Sequence, residues 1–81
     1  MKSTVADLKL GQKGTIKDIS NEQIPIKLYE MGCLPGNTVE MIQYAPFQDP
    51  LYININGSFL AIRKETALQI EIDILPETKN L

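Results

Sequence analysis

The sequence predicts a small, mainly β domain, a barrel of about five short strands with one short helix inserted after the first strand. Leu51–Ile55 alternates apolar and polar side chains strictly, and the following Asn56-Gly57 predicts a hairpin because both positions accept positive φ. Other runs rich in β-formers are joined by brief turns, and short chains of this kind usually curl and close to protect their strand edges. The 81 residues leave room for one domain, predicted over 1–75 with a frayed tail at 76–81.

The N-terminal part predicts a helical turn and then the first strand. Thr4 and Asp7 have the spacing of a capping box around one short turn. Thr15–Ile19 follows with the alternation of a strand. A bulge near Asp18 stays open at this point, because Ile16 and Ile19 are three residues apart.

A short helix is expected next, about two turns long. Residues 20–23 are helix-start types, and Pro25 is tolerated in a first turn because its missing N–H is not needed there. The apolar face of this helix recurs at spacings of four and three and consists of Ile24, Leu28 and Met31. So short a helix depends on packing for its stability.

The segment Leu28–Gly36 joins the end of this helix to the next strand. Gly32 suits the left-handed position that closes a helix. Pro35 fixes one backbone angle and Gly36 permits a tight reversal. The arrangement is typical of a docking surface, since it contains neither a nucleophile with its base nor a cluster of metal ligands.

The remainder of the chain predicts strands. Thr38–Tyr44 is followed by a proline-bounded loop at 45–50 and by Leu51–Ile55, whose apolar side chains point inward. Ser58–Arg63 returns as the partner strand. A one-turn helical link then leads to a last alternating strand at Ile70–Ile74.

The composition excludes several classes of protein. The chain is 43% hydrophobic and 22% charged, which fits a globular domain, and its net charge of −2 without a basic patch argues against nucleic-acid binding. A single cysteine allows no internal disulfide and fits a reducing compartment. No run is long and apolar enough to span a membrane, and no signal peptide is evident. We therefore expect a cytoplasmic protein without direct membrane insertion.

Residues for catalysis or metal binding are not predicted. The chain has no histidine, no serine beside a plausible base and no phosphate-binding glycine loop. Cys33 alone makes a poor iron site, so we expect it to pack as a small hydrophobe, and we expect no cofactor. This expectation is compatible with weak binding of divalent iron. The carboxylates expected on solvated faces are Glu30, Glu40, Glu71 and Asp73.

Two further features have open interpretations. Tyr44, Phe47 and Tyr52 lie in or beside the proline-bounded loop and either line a peptide groove or cap the core. Arg63 is expected to hydrogen-bond to a loop or a carboxylate.

Three blocks of residues together resemble the ferrous iron transport protein A (FeoA) family, from Val5 to Ile74. They are Val5–Leu8 with Gly11–Gly14; Leu28–Gly36; and Asp49–Leu51 with Asn56-Gly57, Leu60–Arg63 and Ala67. The resemblance implies an SH3-like β-barrel with an inserted helix. It also implies a small accessory protein, not an enzyme, that contacts the membrane GTPase transporter FeoB from the cytoplasm. The alternative is a metal-sensing domain related to the C-terminal domain of iron-dependent repressors.

The chain departs from the family pattern in ways that favour an apolar contact. Cys33 stands where the family usually has leucine, and Pro25 and Ile26 stand where it usually has basic residues. The predicted partner-binding patch consists of Ile26, Tyr29, Leu34 and Pro35. A monomer or weak homodimer is expected, because small sheets leave strand edges exposed.

Overall fold

The computed structural model describes residues 3–19 and 24–76. Within them the chain forms strands, two short α-helices and two single 3-10 turns. In chain order these are β1 (Ser3–Thr4), a 3-10 turn (Val5–Asp7), β2 (Lys13–Ile19), α1 (Ile26–Glu30), β3 (Thr38–Tyr44), a 3-10 turn (Pro46–Gln48), β4 (Leu51–Ile55), β5 (Ser58–Ile62), α2 (Lys64–Ala67) and β6 (Ile70–Ile74).

The strands form one antiparallel sheet that curls around a single core. Their order is β1-β6-β2-β3-β4-β5, so β1 and β5 are its edges. The predicted mainly β fold with an inserted helix is confirmed, with six strands in place of about five. The additional strand, β1, is only two residues long and pairs Ser3 with Ile72, which is too short for an alternation pattern to reveal.

The central strands of the sheet contribute buried side chains to the core. In β4, Leu51, Ile53 and Ile55 are buried, as the alternation predicts. The β2–β6 register shifts between Ile16 and Asp18, so a bulge does lie near Asp18. Such bulges increase the local twist and help a small sheet to close. Among the described residues, the other side chains buried in the core are those of Val5, Leu8, Ile16, Ile24, Leu28, Cys33, Val39, Met41, Ile62, Ala67, Ile70 and Ile72.

The first turn forms as its capping spacing predicts. The backbone N–H of Thr4 donates to Asp7 Oδ2 at 2.8 Å, which holds the 3-10 turn closed. Val5 and Leu8 are thereby directed into the core.

The helix is shorter than the sequence predicts. It begins at Ile26, and Pro25 precedes it in an extended conformation (φ −57°, ψ 136°) instead of lying in its first turn. The ring of a proline disfavours helical geometry in the residue before it, so Ile24 lies outside the helix although it is buried. The predicted helix-start residues at 20–23 and the end of the predicted tail at 77–81 lie outside the described residues.

Candidate partner-binding site at the helix end and turn

The end of α1 is closed by two backbone hydrogen bonds. The N–H of Gly32 donates to the carbonyl of Tyr29 at 3.1 Å, and the N–H of Cys33 donates to that of Leu28 at 2.9 Å. This pair of bonds is the Schellman arrangement, and Gly32 takes the left-handed conformation that it requires (φ +101°). The prediction that Gly32 closes the helix is confirmed.

The chain then reverses in a tight turn. The N–H of Asn37 donates to the carbonyl of Leu34 at 3.1 Å, with Pro35 and Gly36 (φ +95°) at the central positions. These residue types and the positive φ are those of a type II turn. The N–H of Gly36 donates to the carbonyl of Ile16 at 2.8 Å, which attaches the turn to β2.

A side chain ties the helix end to the turn. Asn37 Nδ2 donates to the carbonyl of Gly32 at 2.7 Å, and the same carbonyl accepts from the backbone N–H of Leu34 at 2.8 Å. The segment from Leu28 to Asn37 is therefore held by hydrogen bonds along its length. A surface formed by this segment would lose little conformational entropy on binding.

The four predicted patch residues lie in α1 and in the turn that follows it, and they differ in exposure. Ile26 is 75% exposed and Leu34 45% exposed, and Pro35 is also exposed. Tyr29 is half-buried and packs against the core. Three of the four residues are therefore accessible to a partner, and Tyr29 is partly accessible.

Cys33 is fully buried and packs in the core, as predicted from its context. It follows Gly32 at the position where a Schellman helix end usually makes an apolar contact back to the helix, here with the buried Leu28. Burial also raises the pKa of the Cys33 thiol to about 11, because the thiolate would be poorly solvated there.

Titratable residues do not gather into a metal centre in the described part of the chain. No three of its histidine, cysteine, aspartate and glutamate residues lie together as a group that could hold a metal ion. The metal-sensing alternative stays a prediction. The helices among residues 3–19 and 24–76 are also too short to cross a membrane.

The aromatic residues near the proline-bounded loop have different roles. The Tyr44 hydroxyl donates to the carbonyl of Leu8, and the ring packs against the core, so this residue caps the core. Tyr52 lines a shallow depression on the outer face of the sheet with Ile42 and Phe59, while Phe47 points fully into solvent.

Arg63 forms the contact expected of it. Its Nε lies 3.5 Å from Asp49 Oδ1, and the same oxygen accepts a hydrogen bond from the backbone N–H of Lys64 at 3.1 Å. Asp49 therefore joins the proline-bounded loop to the start of α2.

A groove between α1 and β5 was missed by sequence reasoning. It has a volume of about 470 Å³ and is lined by Pro25, Lys27, Leu28 and Met31 on one side and by residues 59–63 with Thr66 on the other. The alternation of β5 could have indicated that Phe59 points outward. The position of β5 opposite α1 depends on how the whole sheet folds, which no local sequence pattern indicates.

Comparison with known proteins identifies the family. The FeoA domain model matches residues 3–74. The chain belongs to the FeoA family. It is 29% identical over 72 residues to an Fe(2+) transport protein A/Fe(2+) transporter FeoB fusion protein of Porphyromonas gingivalis. That alignment covers 88% of this chain and 8% of the fusion protein, so the chain spans only a small part of this relative.

Solved FeoA structures share the fold. The solution structure of FeoA from Chlorobium tepidum is 26% identical with a TM-score of 0.84, covering 95% of this chain and 74% of that one. FeoA from Stenotrophomonas maltophilia, solved with zinc and described as an SH3 domain protein, is 25% identical with a TM-score of 0.70. The alignment covers 88% of this chain and 89% of that one. The predicted SH3-like barrel is confirmed.

Proposed function

We propose that this FeoA-family domain is a non-catalytic accessory of ferrous iron uptake that contacts the transporter FeoB from the cytoplasmic side. The observation that carries the proposal is the fusion of both proteins in one chain in the relative from Porphyromonas gingivalis. Fusion gives two modules a high effective concentration for each other. Where the domain is a separate chain, a contact surface has to provide the association.

The helix end and turn supply such a surface. Ile26, Leu34 and Pro35 are exposed apolar residues, and Tyr29 is half-buried against the core. Apolar and aromatic side chains on a rigid support are typical of the centre of a protein–protein interface. Because hydrogen bonds hold the backbone of the helix end and the turn, association orders few additional degrees of freedom.

The test is the variant Leu34→Glu with full-length FeoB from the same genome, purified in detergent. A carboxylate at this position would be desolvated in an apolar contact, so we expect association to be lost. The side chain is nearly half exposed, so the free energy of unfolding should fall by no more than about 1 kcal/mol.

The matched control is Leu10→Glu, which adds the same charge at an exposed leucine outside the patch. Circular dichroism should show nearly equal thermal midpoints for both variants and the original chain. If Leu34→Glu binds FeoB as tightly as Leu10→Glu does, the assignment of the patch is wrong. If neither variant nor the original chain binds FeoB, the proposed function itself is wrong.

A further inference from the structure

The groove between α1 and β5 is lined mostly by apolar side chains. One wall is the helix, with Leu28 and Met31, and the other is the edge strand β5. Among the described residues, β5 pairs only with β4. Its side of the groove is therefore a strand edge with apolar surroundings.

The register shows which main-chain groups of β5 face this groove. The N–H of Asn56 donates to the carbonyl of Thr38 in β3 at 3.2 Å. Because main-chain groups alternate along a strand, the groups of Leu51, Ile53 and Ile55 in β4 face β5 instead. Their partners in register are Ile62, Leu60 and Ser58. The N–H and carbonyl groups of Phe59 and Ala61 consequently point away from β4, toward the free edge.

The β5 strand itself lacks the charged residues and prolines that usually prevent strand pairing. Ser58–Ile62 contains no lysine, no proline and no other charge, and its pairing with β4 runs without a register shift. Phe59 is 72% exposed and adjoins Tyr52 and Ile42 on the outer face. An added strand would therefore find an apolar surface for its outward side chains and the apolar groove for its inward ones.

The charge of the groove favours an acidic segment as its ligand. The charged side chains that the described residues contribute to the groove are Lys27 and Arg63, although the net charge of the chain is −2.

We propose that the groove binds an extended, apolar and acidic segment of a partner protein, which adds a strand to β5 through the main chain of Phe59 and Ala61. This mode of recognition takes affinity from main-chain hydrogen bonds and specificity from alternate side chains. Lys27 would select a carboxylate in the segment, and Arg63 would add to this selection beside its contact with Asp49. The proposal concerns a surface separate from the patch around Leu34 and holds whichever protein supplies the segment.

The first test uses amide hydrogen exchange on the chain alone, followed by a nuclear magnetic resonance titration. In the free protein, the amides of Phe59 and Ala61 should exchange faster than those of Leu60 and Ile62. The probe is the capped peptide Glu-Val-Thr-Val-Thr-Val-Glu, and the control is the same peptide with both glutamates replaced by lysine. The acidic peptide should protect the amides of Phe59 and Ala61 and bind at least about 5-fold more tightly than the basic one.

Two variants separate the main-chain and charge contributions. Ala61→Pro removes an outward N–H without removing a bond to β4, and proline is tolerated at such edge positions. It should abolish protection of Phe59 by the peptide while the amides of Leu60 and Ile62 stay protected. Lys27→Glu should weaken binding of the acidic peptide by about 3-fold to 10-fold, whereas the control Lys9→Glu, outside the groove, should not.

Three results would overturn the proposal. One is the absence of any shift in the amides of Phe59 and Ala61 at millimolar peptide, since main-chain pairing needs no single exact sequence. Another is equal affinity for the acidic and basic peptides. The third is protection of these amides that rises with protein concentration together with dimerisation in sedimentation experiments, which would assign the edge to a second copy.

Discussion

Replacement of Gly32 by alanine should destabilise the domain through two separate effects. The backbone of Gly32 has φ +101°, where an L side chain costs about 1–2 kcal/mol. A Cβ at Gly32 would also lie 3.0 Å from Asn56 Cβ in the β4–β5 turn. Overpacking of this kind costs about 1 kcal/mol or more. The free energy of unfolding should therefore fall by about 2–3 kcal/mol, from the about 4–12 kcal/mol typical of a domain of this length.

Two companion variants separate these effects. Gly36→Ala introduces a side chain at φ +95° with no atom within 4 Å, so it should cost only the backbone part, about 1–2 kcal/mol. Asn56→Gly removes the Cβ that a side chain at position 32 would meet, and glycine is accepted in this turn. In the Asn56→Gly background, Gly32→Ala should therefore cost about 1 kcal/mol less than in the original chain.

Urea unfolding followed by far-ultraviolet circular dichroism measures the free energy of unfolding of the original chain, of the three single variants and of the double variant. Gly32→Ala alone should lower the thermal midpoint by about 10–20 °C. A coupling free energy between positions 32 and 56 below about 0.3 kcal/mol would refute the steric part of the reasoning. A cost of Gly36→Ala close to zero would refute the backbone part.

Two further predictions concern the core. Burial raises the pKa of the Cys33 thiol from 9.0 to about 11, so the unfolded chain loses its thiol proton first, and the free energy of unfolding should fall from about pH 9 to about pH 11. That fall, worth roughly 2–3 kcal/mol, should be absent in Cys33→Ala, and an identical pH profile for both proteins in urea unfolding would contradict the burial argument. Gly14→Ala would place a Cβ 2.7 Å from Ile72 Cδ1 and should cost about 1–3 kcal/mol. Ile72→Val, which removes that Cδ1, should reduce the cost, and an undiminished cost would show that another contact is responsible.

The parts of the fold that sequence predicts well are those with a local cause. Asn56 and Gly57 adopt positive φ because the hairpin needs it there, and the alternation of Leu51–Ile55 follows from one face being buried. Gly32 was predicted to close the helix for the same kind of reason. Each of these features depends on a few neighbouring residues, so the sequence alone is sufficient.

The parts that it predicts poorly depend on distant contacts. Ile24 fits the apolar period of a helix and is buried, yet Pro25 keeps it out of α1, since burial can be achieved without helical geometry. β1 is a strand only because β6 lies beside it. The groove is lined by residues of α1 and β5, which are far apart in the chain. No local sequence pattern could therefore indicate it. The sequence indicates which segment carries the predicted patch residues. Only the structure shows that Tyr29 packs against the core.

The helix α1 connects the two proposed surfaces. With five residues it is too short to be stable in isolation, so it depends on the burial of Leu28 and on the hydrogen bonds to Gly32. The patch begins at Ile26 on this helix, and Lys27 of the same helix lines the groove. A change that loosens the helix end, as Gly32→Ala does, should weaken both FeoB association and peptide binding. Leu34→Glu should affect only the first and Ala61→Pro only the second, because each acts on one surface and leaves the helix in place.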